Sequence, residues 1–426
     1  MERNDPRYQA YVEILKEELI PAMGCTEPIA LAYAAAKARE VLGVLPDSVQ
    51  LQVSGSIIKN VKSVIVPNTG HLKGMEAAVA AGIIAGSAEK ELEVISEVSE
   101  EKKSAIQDYL QTVPITIEHT EQGHVFDIVV TERCGQDYAR VRIADYHTNI
   151  CRIEKNGTVL YEVPLLDETV QEDARADRSL LNMQDIWDFA ETADLRDVAD
   201  LLERQIRYNN AIAEEGLLGD YGANIGRVLL TTYGNDVSNR AKAKAAAGSD
   251  ARMNGCELPV IINSGSGNQG ITCSVPLIEY AKELHSGKEK LYRALIISNL
   301  VAIHEKTGIG TLSAYCGAVS AGAGAGAGIV YLCGDGYQAA IHTVVNALAI
   351  VSGIVCDGAK ASCAAKIASS VDAALLGYNM YKCNQEFKGG DGIVMKDIET
   401  TIKGIGRLGK DGMRQTNEEI IRLMMS

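Results

Sequence analysis

Aromatic residues are scarce in this 426-residue chain, which has three Phe and one Trp. Long apolar runs are missing too. The longest uncharged candidate, Gly317 to Cys333, carries too many glycines for a bilayer span, so no membrane is expected as a partner. Positive charge is in deficit, with 41 Lys and Arg against 56 Asp and Glu, a formal charge of −15 and a pI near 5.0. Binding a phosphate backbone needs concentrated Lys and Arg, which argues against nucleic acid. There is no repeat of fixed period, no Walker lysine and no G-x-G-x-x-G after a first strand, so nucleotide binding has little support. The opening residues, MERNDPRYQAYVEILKEELIPAMG, lack the apolar core of a signal peptide. Tyr8, Tyr11, Val12, Leu15 and Leu19 instead recur at helical spacing, with Asp5 as cap and Pro6 in the first turn. A cytoplasmic protein is expected.

What the chain has in quantity is glycine, 40 residues, and an apolar fraction of 46% that is largely alanine. Such a core packs backbone close to backbone. The ten cysteines, with no secretory signal, suit a reducing compartment and favour thiol or metal chemistry over disulfides. A free cysteine also serves as a small buried hydrophobe.

The length exceeds one usual core and predicts two parts. Ile29 to Leu42 is Ala-rich and helical, and Val49, Leu51 and Val53 alternate as a half-buried strand does. The glycines of SGSIIKNVKSVIVPNTGHLKGMEAA mark turns beside short strands, then a helix from about Gly74. Between about 112 and 163 the pattern is alternation, with Asn156-Gly157 as a hairpin turn between Ile150–Ile153 and Val159–Tyr161. LLDETVQEDARADRS, residues 165–179, reads as an acidic linker. Helical periodicity dominates thereafter. The fold class expected is α+β: an N-terminal α/β part over 1–175 with a β-rich module at 112–163, then a large mainly helical domain over 176–426. AGAGAGAG, Ala321 to Gly328, reads as a close helix crossing or a tight turn.

Cys316 in GTLSAYCGAVSAG and Cys356 and Cys363 in CDGAKASC sit among small residues, which suggests an iron–sulfur site with one iron left open. Thiolates are the usual ligands of such clusters, and an open iron acts as a Lewis acid. In an unbroken helix the last two sulfurs would lie roughly 10 Å apart along the axis. A turn at Asp357-Gly358 would let them converge. Three buried thiols in an alanine-rich core are the alternative, and zinc, drawing on Cys333, His342 or Cys383, is a weaker one because their spacing is not that of a finger. Cys25 in PAMGCTEP precedes an Ala-rich helix whose N-terminus is expected to lower its pKa toward neutrality, making it a candidate base or nucleophile. His71 in PNTGHLKGMEAA is a second candidate base, and Lys73 could meet a carboxylate. The loop in VIINSGSGNQGITCSVPL offers Ser264, Ser266 and Asn268 to a small anion, a carboxylate sooner than a nucleotide. Asn68 and Thr69 are further candidates for it.

Taken together and in order, GCTEP, SGSIIKNV, PNTGHLKGMEAA, NSGSGNQG, SAYCGAVSAGAGAGAG and CDGAKASC resemble the cysteine desulfidase family, relatives of bacterial iron–sulfur L-serine dehydratases. The resemblance covers nearly the whole chain. It implies β-elimination without PLP, turning L-cysteine into hydrogen sulfide, ammonia and pyruvate. It further implies a [4Fe-4S] cluster on Cys316, Cys356 and Cys363, and Cys25 as the base. In the serine dehydratase branch the second and third ligands lie further apart and some members end in an iron-capping cysteine; this chain ends in Leu423-Met424-Met425-Ser426. L-serine dehydration is the close alternative reading, a cluster-binding redox sensor a more distant one. A homodimer is the base-rate expectation for the oligomer.

Overall fold

The computed structural model describes residues 1–120, 124–165, 175–310 and 312–425. Most of the acidic segment read as a linker, 166–174, lies outside them.

The N-terminal part runs α1 (Pro6–Glu18), β1 (Pro21–Met23), α2 (Thr26–Leu42), β2 (Ser48–Ser54), α3 (Gly55–Val61), α4 (Gly74–Ala85) and α5 (Glu100–Thr112). Asp5 does cap α1, its carboxylate accepting from the Arg7 N–H, with Pro6 opening the helix. Five strands follow: β3 (Ile115–Thr120), β4 (Asp127–Cys134), β5 (Asp137–Ala144), β6 (Ile150–Lys155) and β7 (Thr158–Glu162). Asn156 and Gly157 take φ of 50° and 81°, the left-handed pair that a tight hairpin between β6 and β7 requires. The β-rich module is not separate from the earlier strand. β2 pairs parallel with β3 and antiparallel with β4, giving one six-stranded sheet of order β3-β2-β4-β5-β6-β7. Its inner face packs on α2, whose alanines let the sheet approach closely.

SGSIIKNV departs from expectation: after Ser54, which ends β2, it is the helix α3, not a short strand, and all seven residues of that helix are buried. Burial on every side removes the alternation by which strands are recognised, and tertiary packing overrides the β preference of Ile57, Ile58 and Val61.

The second part is helical: α6 (Met183–Thr192), α7 (Ala199–Leu218), α8 (Ile225–Tyr233), α9 (Val237–Met253), the short β8 (Pro259–Ile261), α10 (Gly267–Glu283), α11 (Lys288–Ile309), α12 (Gly317–Cys333), α13 (Tyr337–Val351), α14 (Ser362–Lys382), α15 (Ile398–Arg407) and α16 (Arg414–Met425). The mixed α+β class is as expected. AGAGAGAG lies inside α12, a buried helix crossed by α10, α11, α13 and α14. A Cβ on Gly324 would fall 2.4 Å from the Ser298 carbonyl oxygen of α11, so only glycine permits that crossing. Two features tie the parts together. β1 pairs antiparallel with β8, and Tyr8 and Tyr11 of α1 set their rings edge-on against Phe189 of α6 at 5.1 and 5.4 Å. No described helix is long and apolar enough to cross a membrane.

Candidate active site

Cys25, Ser264, Ser266, Asn268, Cys316, Cys356 and Cys363, far apart in sequence, line one cavity of about 110 Å³ between the two parts. Helix starts converge there. Cys25, Ser266 and Cys316 occupy the positions just before α2, α10 and α12, and Cys363 is the second residue of α14. The N-terminus of a helix carries partial positive charge, so four of them favour anions in the space they share.

The break expected at Asp357-Gly358 is there. α13 has ended at Val351, Gly358 takes φ of 93°, and α14 starts only at Ser362. A side chain on Gly358 would also meet the Lys59 carbonyl oxygen at 2.1 Å. Two backbone bonds join the thiol-bearing segments: Cys316 N–H donates to Ile354 O (3.2 Å) and Cys356 N–H to Ala314 O (2.6 Å). The buried Lys59 braces them, its Nζ donating to Cys356 O (3.3 Å), Ser313 O (3.4 Å) and Asn417 Oδ1 of α16 (2.6 Å).

Burial pushes the Cys316 thiol up to about 12, with Cys356 and Cys363 adding to the shift, and raises Cys363 too. Such thiols keep their protons until a metal replaces them. Lys59, Lys306, Lys366 and Arg252 all act electrostatically on these thiols. Among the described residues, no group of three or more His, Cys, Asp and Glu is placed to share one metal ion. A four-iron cluster asks for something else, separate thiolates on separate irons. Three thiols around one cavity, with cations behind them to balance an anionic cluster, suit that requirement.

Cys25 differs from expectation. Its place at the start of α2 does not bring its pKa toward neutrality; burial raises it well above the usual thiol value, and the Glu27 carboxylate adds to the effect. Cys25 Sγ donates to Glu27 Oε2 at 3.1 Å, and Asn60 Nδ2 donates to Glu27 Oε1 at 2.9 Å. His147 Nε2, delivered by the turn after β5, stands 3.8 Å from Glu27 Oε1. Burial works against ionisation of Glu27, but His147 and the Cys25 thiol overcome it and hold the carboxyl at about 2. Lys306 is pushed down to about 8 by burial.

Asn68, Thr69, His71 and Lys73, all from PNTGHLKGMEAA, lie outside the cavity. Asn68 Nδ2 donates to Ile95 O (2.8 Å) and Thr69 Oγ1 to Val66 O (2.7 Å), which fixes the turn before α4. His71 is exposed on that turn, at φ of 67°. Gln269, from the same loop as Ser264 and Asn268, lines the cavity too, and so do Glu27, Asn60, His147, Arg252 and Lys306, which the sequence did not single out.

Residues 89–422 match the serine dehydratase alpha chain family. The chain belongs to that family. Similar proteins align along nearly their whole length: a UPF0597 protein of Desulfitobacterium hafniense (strain Y51) is 61% identical over 426 residues, covering 100% of this chain and 99% of the relative. One from Lachnoclostridium phytofermentans is 52% identical over 419 residues (98% and 100%), and one from Treponema denticola 46% over 430 residues (100% of each). The serine dehydratase match takes in the loop at Ser264, the three clustered cysteines and α14, whereas Cys25, Glu27 and Asn60 precede it.

Proposed function

We propose that the protein is an iron–sulfur lyase that eliminates the β-substituent of a small L-amino acid, L-cysteine in preference to L-serine. The convergence of Cys316, Cys356 and Cys363 with Cys25 and the Ser264–Asn268 loop on one cavity carries this reading. When bound there, a [4Fe-4S] cluster on the three thiols supplies a Lewis-acidic iron for the group that leaves the β-carbon.

The chain's own residues do the rest. Ser264, Ser266 and Asn268 present hydroxyls, an amide and the start of α10 to the polar end of the substrate. Cys25 is the group that moves the α-proton. At rest it holds its proton against Glu27; to act it passes that proton to Glu27 Oε2, 3.1 Å away, and the thiolate, stabilised by Arg252 and by the start of α2, then takes the α-proton. Burial of Cys25 and Glu27 keeps water from competing for that proton. Loss of the α-proton and the β-substituent leaves aminoacrylate, which water converts to pyruvate and ammonia. L-serine is the second reading because the family takes its name from that substrate.

The test is anaerobic reconstitution with iron and sulfide, followed by parallel assays with L-cysteine and L-serine. Uptake of about four irons and four sulfides per chain, with sulfide and pyruvate released from L-cysteine, is the expected result. Pyruvate from L-serine alone would move the assignment to a dehydratase, and absence of a cluster would return the three cysteines to buried thiols. Cys25→Ala is expected to take up iron normally while turnover falls by about a hundred-fold or more; near-parental turnover would remove Cys25 from its role.

A further inference from the structure

Buried polar atoms without a hydrogen-bond partner collect on the wall of this cavity. Among the described residues they include Arg252 Nε, Asn60 Oδ1, Asn268 Oδ1, Gln269 Oε1 and His147 Nε2, each belonging to a cavity-lining residue. A buried polar group left unpaired is costly, so a concentration of them marks where a ligand supplies the missing partners.

The atoms differ in kind. Arg252 is 2% exposed, at the C-terminal end of α9, and its Nε–H is a donor with nothing to donate to. Gly267 makes its position possible, since a Cβ there would fall 2.2 Å from Arg252 Nε. The amide oxygens are acceptors with nothing to accept. Two of them cannot be relieved by turning the amide over. Asn60 Nδ2 already donates to the Glu27 carboxylate (2.9 Å) and Gln269 Nε2 to the Ser264 carbonyl (3.4 Å), both of which only accept. The cavity therefore offers a guanidinium donor at the end of α9 and amide acceptors from α3 and α10, the first of them beside the Glu27 carboxylate.

We infer that Arg252 is the residue that binds the substrate's α-carboxylate, and that the side-chain oxygens of Asn60 and Gln269 bind its ammonium. The inference rests on reading the cavity as the substrate site and assigns its two polar ends. It makes Arg252 a specificity-determining residue for zwitterionic ligands and leaves the β-substituent to face the thiols.

L-alanine, which has no β-leaving group, probes this without turnover. Its affinity for the full-length reconstituted protein is measured by calorimetry beside L-alaninamide, which lacks the carboxylate, and L-lactate, which lacks the ammonium. Each single-group change is expected to weaken binding by about tenfold or more, as loss of a charge-assisted bond does. In Arg252→Met the preference for L-alanine over L-alaninamide should collapse, while the preference for L-alanine over L-lactate persists. Gln269→Met should do the reverse. Gly267→Ala, which displaces the guanidinium without removing it, should follow Arg252→Met and covers the case in which that variant fails to fold. A folded Arg252→Met or Gly267→Ala protein that keeps the L-alaninamide discrimination would overturn the inference, as would a parental protein that does not bind L-alanine. Binding of L-alanine without pyruvate from L-cysteine or L-serine would overturn the lyase reading alone. Turnover with a KM unmoved by Arg252→Met would overturn the Arg252 assignment alone.

Discussion

Glu27 and Glu132 are both buried carboxyls, one at the start of α2 and the other on β4, the strand against which α2 packs. Their surroundings drive them in opposite directions. Glu27 faces the cavity, is bonded by Cys25 and Asn60, and is held ionised at about 2. Glu132 faces the sheet–helix interface with neither oxygen bonded among the described residues; burial pushes it well above the usual carboxyl range, and Arg39 offsets that only in part. Polarity buried at the cavity is organised around groups that can act on a ligand. Polarity buried under the sheet burdens the fold.

If that division is sound, damage at the cavity should remove function and spare the fold. Replacing Cys316, Cys356 or Cys363 by Ala is expected to abolish iron uptake and any lyase turnover. The melting temperature of the iron-free protein should stay near parental, because a single thiol at a cavity edge contributes about 1 kcal/mol or less. Iron analysis and a thermal melt of the same sample check both halves. A variant that lost its fold along with its iron would make the cavity wall structural and erase the contrast with the sheet.

Glu27→Gln is the next strongest test. It keeps the shape of the side chain and removes the charge to which Cys25 and Asn60 are bonded. Turnover is expected to fall by about 10²–10⁴-fold, the range for a group that assists proton transfer. The variant should also change the acid limb of stability. The folded pKa of Glu27 lies at about 2, below the ordinary 4.5, so its charge stabilises the native state above pH 4.5, and that contribution is lost as pH falls toward 2. Urea melts at pH 3 and pH 6 should show a smaller difference in Glu27→Gln than in the parent.

These two glutamates also mark how far the sequence could be read. Five of the six separated motifs pointed to residues that fold around one cavity, because thiols, glycines and hydroxyls at element junctions carry their chemistry in their type and place. The glycines at Asp357-Gly358 and in Ala321–Gly328 announced a chain break and a close crossing through backbone geometry alone. Glu27 was hidden within the GCTEP motif, since an acid in the first turn of a helix is ordinarily a partner of the helix dipole. Arg252 ends a run of alanines and polar residues with no apolar stripe, so its burial is set by what α10 and α14 bring against α9. His147 sits on a turn remote in sequence from every motif and reaches the cavity only because β5 and β6 are aligned with it. His71, Asn68 and Thr69, in a motif rich in turn formers, shape a turn outside it.

Glu132→Met, whose effect should be the smallest, sharpens the comparison because its pH dependence has the opposite sign. Below pH 4.5 the carboxyl is protonated in both folded and unfolded chains and affects stability little through its charge. As pH rises above 4.5 the unfolded chain ionises while the folded chain holds its proton, so the unfolded state gains and the native state is progressively destabilised. A methionine of similar length carries neither the proton equilibrium nor two unbonded oxygens. It should stabilise the protein by about 1–3 kcal/mol at neutral pH, the usual cost of an unpaired buried polar group, with less gain at pH 4.5 and no change in turnover. Chemical melts at the two pH values together with a pyruvate assay read all three. A Glu132→Met protein that gained equally at both pH values would show that the folded carboxyl is not held protonated, and one that lost activity would show that the sheet's buried acid is coupled to the cavity after all, through α2, which packs on β4 and reaches the cavity at Glu27.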